Sequence, residues 1–196
     1  MIQALYDTVA RWVPPGSRVL DLGTGDGAFL QRLVEHRKVE AEGVEKDGTL
    51  AARCIERGLV VHQGDILDGL DQYGKNSFDY VLLLGTFQEL IDPWKVLEEA
   101  FRVGKRVIVG FNNFAYWRAR FQILLRGRSP VTARMPHPWY LSPNLQYFSI
   151  HDFKDFTRAK HLVIEDIAFF SGRSKIAVLP NLRCEQCVAL LHDGDA

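Results

Sequence analysis

Three acidic residues and one glycine-rich turn are where this sequence could do chemistry. Residues 19–27 read VLDLGTGDG: an apolar run, Asp21, then Gly23, Gly25 and Gly27 at alternate positions. Without Cβ atoms, such a turn lets a ligand approach the backbone and leaves N–H groups facing it at the start of the next helix. A dinucleotide fingerprint would space its glycines G-x-G-x-x-G. Here the third arrives one residue early, and Asp21 would repel a pyrophosphate. A carboxylate at that point suits a ligand carrying an ammonium group.

Two further acids close later apolar runs, Glu45 in GVEKD and Asp65 in HQGDI. Glu45 can accept from both hydroxyls of a ribose, and Asp65 from an adenine amino group while Ile66 packs on the ring. Each such charged hydrogen bond is worth about 1.5–3 kcal/mol. S-adenosylmethionine, or its demethylated product S-adenosylhomocysteine, carries an ammonium, a ribose and an adenine and no phosphate, so all three acids fit that one ligand. Taken singly, each acid also suits a helix cap, a turn or a solvated surface. Three at successive strand ends point to a ligand, because ligands of parallel sheets bind at the carboxyl ends of the strands.

The elements that must position these acids are legible as apolar periodicity. Residues 18–23 read as a buried strand, and Phe29, Leu30, Leu33 and Val34 then share one helical face. Strands follow in VEAEGVE, LVVHQGD, FDYVLLLG and KRVIVGF, separated by helices in GTLAARCIERG and DPWKVLEEAFRVG. Gly58 marks the end of the first of these helices, and Asp92 with Pro93 the start of the second. A helix in SIHDFKDFTRAKH and two last strands, LVIEDIAFF and CVALLHD, complete the pattern. Alternating strands and helices imply right-handed crossovers and a mostly parallel sheet covered on both faces. The expectation is a doubly wound α/β fold with seven strands, one domain over residues 1–196, and a cap or lid inserted after the fifth strand at residues 112–150.

The chain has 196 residues, with 24 Lys+Arg balancing 24 Asp+Glu. That length is enough to bury about 70% of the unfolded surface in one core. Zero net charge argues against non-specific polyphosphate binding, so no nucleic acid is expected. No apolar run nears the roughly 20 residues that span a bilayer, so no membrane partner is expected either. The first residues lack a basic end followed by an apolar block, which with three cysteines points to a reduced cytoplasmic protein. Cys184 and Cys187 form a CxxC pair, but no second pair of ligands accompanies them, and no metal is expected.

Residues 112–150 break the strand–helix rhythm, mixing Pro130, Pro136, Pro138 and Pro143 with aromatics and arginines. On a helical net Phe114, Trp117, Phe121, Leu124 and Leu125 fall largely on one side, with Arg118, Arg126 and Arg128 mainly elsewhere. The expectation from this net is an amphipathic helix whose aromatics are buried on the sheet edge. A lid over a small-molecule site, a docking face for another protein and a plain structural cap all remain open. Gln88, Glu89, His137 and His151 are conceivable acid–base or orienting groups. No Asn-or-Asp-Pro-Pro-aromatic acceptor box occurs, so no catalytic residue is assigned.

Asp21, the glycine loop, Glu45 and Asp65, taken in order over residues 17–111, resemble the class I S-adenosylmethionine-dependent methyltransferases. That resemblance implies cofactor contacts at Asp21, Gly23, Thr24, Gly25, Glu45, Lys46, Asp65, Ile66, Leu84 and Thr86. It also implies that the end of the fourth strand, at Thr86, Phe87 and Gln88, faces the transferred methyl group. The segments FDYVLLLGTFQEL, FNNFAYWRARFQILLRGRSPVT and HPWYLSPNLQYFSIHDF resemble, more specifically, the methionine biosynthesis protein MetW family. Thr24 stands where many such loops carry Cys, and the tail from Arg173 matches least. The resemblance implies an accessory role beside homoserine O-acetyltransferase, with no methyl acceptor established. Phe87, Gln88, Asn112, Trp117, Arg118 and Arg126 are the candidate substrate or partner face. A nicotinamide oxidoreductase is disfavoured by the glycine spacing and Asp21.

Overall fold

The computed structural model describes residues 3–194, so both ends of the expected 1–196 unit (residues 1–2 and 195–196) lie outside the described residues. The chain opens with α1 (Gln3–Trp12), β1 (Arg18–Leu22), α2 (Ala28–Arg37), β2 (Glu40–Glu45), α3 (Gly48–Glu56) and β3 (Val60–Gln63). It continues through α4 (Ile66–Asp71), β4 (Phe78–Leu84), a short 3-10 helix (Phe87–Glu89), α5 (Pro93–Val103) and β5 (Gly104–Asn112). Then come α6 (Trp117–Arg126), α7 (Ile150–Ala159), β6 (Leu162–Ser171), β7 (Ser174–Lys175), α8 (Pro180–Arg183) and β8 (Gln186–Asp193).

All strands join one sheet in the order β3-β2-β1-β4-β5-β8-β6-β7. The first five run parallel, and β8, β6 and β7 add antiparallel pairings at one side. The sheet has eight strands; the one beyond the expected seven is β7, two residues long at the outer edge. The doubly wound, mostly parallel fold expected from the apolar runs is the one observed.

Successive strand residues serve opposite faces. Val19, Tyr80, Leu82 and Ile108 pack with Leu5 and Val9 of α1, Leu30 and Leu33 of α2 and Cys54 of α3. Leu20, Leu22, Val81, Leu83, Val107 and Val109 pack with Leu70 of α4, Val96 and Leu97 of α5 and Phe153 of α7. That two-sided burial is why these strands read as unbroken apolar runs, each buried Leu or Val contributing about 1.5–3 kcal/mol.

Helix ends follow the local signals. Asp92 accepts from the Lys95 N–H with Pro93 in the first turn, and Gly58 takes φ 76 after α3. Three helices, α1, α4 and α8, are not marked by the apolar periodicity. α4 has only six residues and its entry is marked by Asp65, whose side chain accepts from the Leu67 N–H. α1 contributes Leu5, Tyr6 and Val9 to the core.

The helix at residues 117–126 forms as expected, but its apolar side is not buried on the sheet edge. Trp117, Phe121, Leu124 and Leu125 are all exposed, and Ala119 alone in α6 is buried. A helical net reveals that one face is apolar; it carries no information on which way that face looks.

Cys184 and Cys187 are fully buried free thiols on the β8 side of the core, as is Cys54 on the opposite face. Among the described residues no group of three or more His, Cys, Asp or Glu is placed to hold a metal ion. Burial pushes the Cys184 thiol up to about 12 and Cys187 well above its ordinary value. Iodoacetamide should therefore leave both unmodified in the native protein and alkylate them only on unfolding. Rapid native labelling of either one, followed by mass spectrometry, would contradict this placement.

Candidate cofactor site

The acids singled out in the sequence lie at the carboxyl ends of neighbouring parallel strands, β1, β2 and β3, where the chain turns into helices. The turn after β1 is left-handed at all three of its glycines: φ is 79° at Gly23, 63° at Gly25 and 75° at Gly27. L side chains rarely adopt that conformation, which is the physical reason for glycine at alternate positions. Gly23 and Thr24 both donate to the Val44 carbonyl (2.8 and 3.1 Å), binding the turn to β2. Thr24 Oγ1 donates to the Asp21 carbonyl at 2.8 Å. Gly43 makes room for it, since a Cβ there would stand 2.3 Å from Thr24 Oγ1.

Glu45 is the hub of this rim. Its buried carboxylate accepts from the Gly25 N–H at 2.7 Å and from the Asp47 N–H at 2.9 Å. It thus ties the β1–α2 turn to the β2–α3 turn. Asp21, beside it, is 4% exposed, and no donor or cation bonds its carboxylate among the described residues. Burial first, and then the Glu45 charge, push Asp21 up to about 7. Glu89 on the short 3-10 helix is exposed, and partial desolvation and then the same Glu45 charge raise its carboxyl as well. The rim is an acidic one, lacking a compensating cation at its deepest carboxylate.

The other candidate contacts gather on this rim. Thr86 sits against Gly23, where a Cβ would be 2.2 Å from Thr86 Oγ1, whereas nothing lies within 4 Å of a Cβ placed on Gly25. The loop is therefore closed at Gly23 and open above Gly25. Lys46 and Asp65 pair at 3.7 Å, with side chains 82% and 53% exposed. A pair that exposed contributes little and yields readily to a ligand. Ile66 and Leu84 are partly buried beside the cores on the two faces.

These residues fit S-adenosylmethionine or S-adenosylhomocysteine. An unpaired buried carboxylate matches an ammonium, and Glu45 retains lone pairs for ribose hydroxyls beyond its two backbone donors. The open backbone above Gly25 admits close approach of the ligand.

The candidate substrate or partner face divides in two. Gln88 is buried and its amide is spent on the main chain: Nε2 donates to the carbonyls of Asn112 (3.1 Å) and Gln146 (3.3 Å), and Oε1 accepts from the Asn112 N–H (2.7 Å). Its own carbonyl accepts from the N–H groups of Leu145 and Gln146, both at 2.9 Å. Asn112 extends the clasp by donating to the Arg134 carbonyl at 3.2 Å and accepting from Gln186 Nε2 at 3.2 Å. Phe87 is buried edge-on to Phe148 and Phe153. Together they hold segment 112–150 to the sheet. Trp117, Arg118 and Arg126 stand instead on the exposed side of the chain, as do His137 and His151. The clasp role of Gln88 was not legible in sequence, since its partners lie 24 and 58 residues away.

Two measurements test this geometry. An acid whose folded pKa is about 7 and whose ordinary value is 3.8 stays protonated longer in the folded state, so the ligand-free protein loses stability as pH rises from about 4 to 7. The loss is about 4 kcal/mol, and Asp21→Asn should flatten that slope in urea titrations. Gln88→Leu leaves buried main-chain groups unpaired and should cost about 2–5 kcal/mol. It should also speed hydrogen exchange at the Asn112 amide, which loses its Gln88 Oε1 acceptor; unchanged exchange there would exclude the clasp.

The chain matches the family described as "Methionine biosynthesis protein MetW" over residues 3–191. It is 31% identical over 202 residues to the bifunctional methionine biosynthesis protein MetXA/MetW of Rhodopirellula baltica. That match takes in 95% of this chain but 32% of the relative, so the chain spans about a third of that relative's length. Among solved structures it resembles a Thermotoga maritima S-adenosylmethionine-dependent methyltransferase, described as a possible histamine N-methyltransferase. There the TM-score is 0.65 and the identity 22%, over 97% of this chain and 89% of the other. It also resembles the [4+2]-cyclase SpnF, with TM-score 0.68 and 17% identity, over 96% of this chain and 80% of the other. At these identities the structural likenesses establish the fold, and a fold shared by a methyltransferase and a cyclase does not name a reaction. Read with the acidic rim and the family match over nearly the whole chain, they lead to one conclusion: this chain belongs to the MetW family of methionine biosynthesis proteins.

Proposed function

We propose that the chain is one S-adenosylmethionine- or S-adenosylhomocysteine-binding unit, cytoplasmic, that serves homoserine O-acetyltransferase as an accessory or regulatory subunit. The observation that carries this reading is the relative in which MetXA and MetW share one polypeptide; MetXA is taken here as the acetyltransferase. In the proposed site Asp21 meets the ligand's ammonium, Glu45 the ribose hydroxyls and Asp65 the adenine amino group, while Gly23, Thr24 and Gly25 offer backbone. Lys46, Ile66, Leu84 and Thr86 complete its walls. Bound S-adenosylmethionine would supply an electrophilic methyl group; the residues named here bind and orient it. A ligand that neutralises Asp21 relieves the buried charge, so occupancy is linked to the stability of this rim.

A second reading, an active methyltransferase on a small acceptor beneath residues 112–150, draws on Glu89. Glu89 is surface-exposed, and its carboxyl is held above its ordinary value by partial desolvation and by Glu45, a direction that favours proton removal from an acceptor.

Acetylation by homoserine O-acetyltransferase from the same organism, measured with and without this protein, separates the two readings. The accessory reading expects co-elution and a severalfold faster rate that varies with S-adenosylmethionine. Asp21→Asn should weaken cofactor binding at least tenfold by calorimetry and abolish that cofactor dependence. An unchanged rate with no co-elution sinks the accessory reading, and methyl-transfer assays on candidate acceptors then become decisive.

A further inference from the structure

The apolar stripe of α6 faces outward. Trp117, Phe121, Leu124 and Leu125 are 39%, 52%, 78% and 73% exposed. They recur at helical spacing on one side, opposite the buried Ala119. Trp117 and Phe121 meet edge to face at 6.0 Å, and the Arg118 guanidinium lies 5.2 Å from the Trp117 ring centre. In the coil that follows, Trp139 and Tyr140 are likewise exposed and pack on each other at 5.8 Å. Exposed apolar area on this scale marks an interaction surface. Aromatics already held by neighbours, with an arginine over one of them, are the groups that dominate binding energy.

Charge narrows the occupant. Residues 112–150 contain five arginines, no lysine and no Asp or Glu, leaving 19 basic against 24 acidic residues in the rest of the chain. The partner surface must therefore be acidic and apolar together. A second copy meeting this face by a two-fold axis would set arginine against arginine. The Rhodopirellula baltica relative carries its MetXA and MetW parts in one polypeptide, which keeps such a surface within reach of its partner.

We infer that the outward face of α6, with Trp117, Phe121 and Leu124 as apolar anchors and Arg118 as a charged flank, docks an acidic apolar patch on homoserine O-acetyltransferase. This rests on the accessory reading above and adds the surface to it. The Gln88 clasp presents that surface, because the segment bearing α6 is tied to the sheet through Asn112 and Gln146.

The test uses the full chain in three forms: unaltered, Phe121→Ser with Leu124→Ser, and Arg118→Glu. All five methods of failure are separable by sedimentation with the acetyltransferase, calorimetry with S-adenosylmethionine, and flotation with phosphatidylserine vesicles. Both variants should bind the acetyltransferase at least tenfold more weakly while keeping cofactor affinity, and binding of the unaltered chain should weaken as salt rises. Equal binding by all three forms overturns the surface and leaves the accessory reading standing. No binding by the unaltered chain removes both. A dimer of the chain alone that Phe121→Ser with Leu124→Ser dissolves assigns the face to self-association and overturns the inference. Vesicle binding lost in the same variant, with acetyltransferase binding intact, assigns it to a membrane surface and overturns it as well. Loss of cofactor affinity along with partner binding assigns α6 to the ligand site and likewise overturns it.

Discussion

The hydrogen bond from the Gly25 N–H to Glu45 is the constraint on which the rim depends. A turn with three left-handed glycines has little conformational preference of its own, and its shape must be imposed from outside. Glu45 imposes it by holding two consecutive crossover turns with one carboxylate. The cost is a buried negative charge next to Asp21, whose own burial first, and then that proximity, push its carboxyl up to about 7. Organisation of the loop and discomfort of the neighbouring acid are thus one arrangement. A cationic ligand group answers the second without disturbing the first.

Beyond the rim the molecule is organised around an aromatic cluster. Phe87, Phe111, Phe148, Phe153 and Phe156 contact one another at centroid distances between 4.6 and 6.4 Å. They come from the 3-10 helix, β5, the end of the long coil and α7. Ring packing fills the space beneath the insertion, while Gln88 supplies the polar bonds that give it one register. Apolar contact provides the adhesion and the amide the specificity, since rings tolerate sliding and hydrogen bonds do not.

Legibility in sequence followed the range of the forces involved. The parallel strands announced themselves because burial on both faces demands unbroken apolar runs, as in Val81 to Leu83 and Val107 to Val109. Asp21, Glu45 and Asp65 were legible because their position relative to strand ends is a local property. α4 was not, being too short for periodicity to register. The outward turn of α6 was not, because periodicity measures segregation along a helix and not the direction of the core. Gln88 looked like a site residue for the same reason, its bonds being decided by chain that returns much later.

The polar fastening of the insertion runs to its main chain: the Gln88 carbonyl and side-chain amide meet backbone at Asn112, Leu145 and Gln146. Backbone bonds are indifferent to which side chains the fastened segment carries. Selection can therefore rewrite the outward residues of α6 and its coil with small penalties to folding, much as a socket keeps its frame while its contacts are changed. Whatever is kept constant on that face is therefore kept for what it meets, not for the fold, whereas the clasp beneath it is held by folding itself.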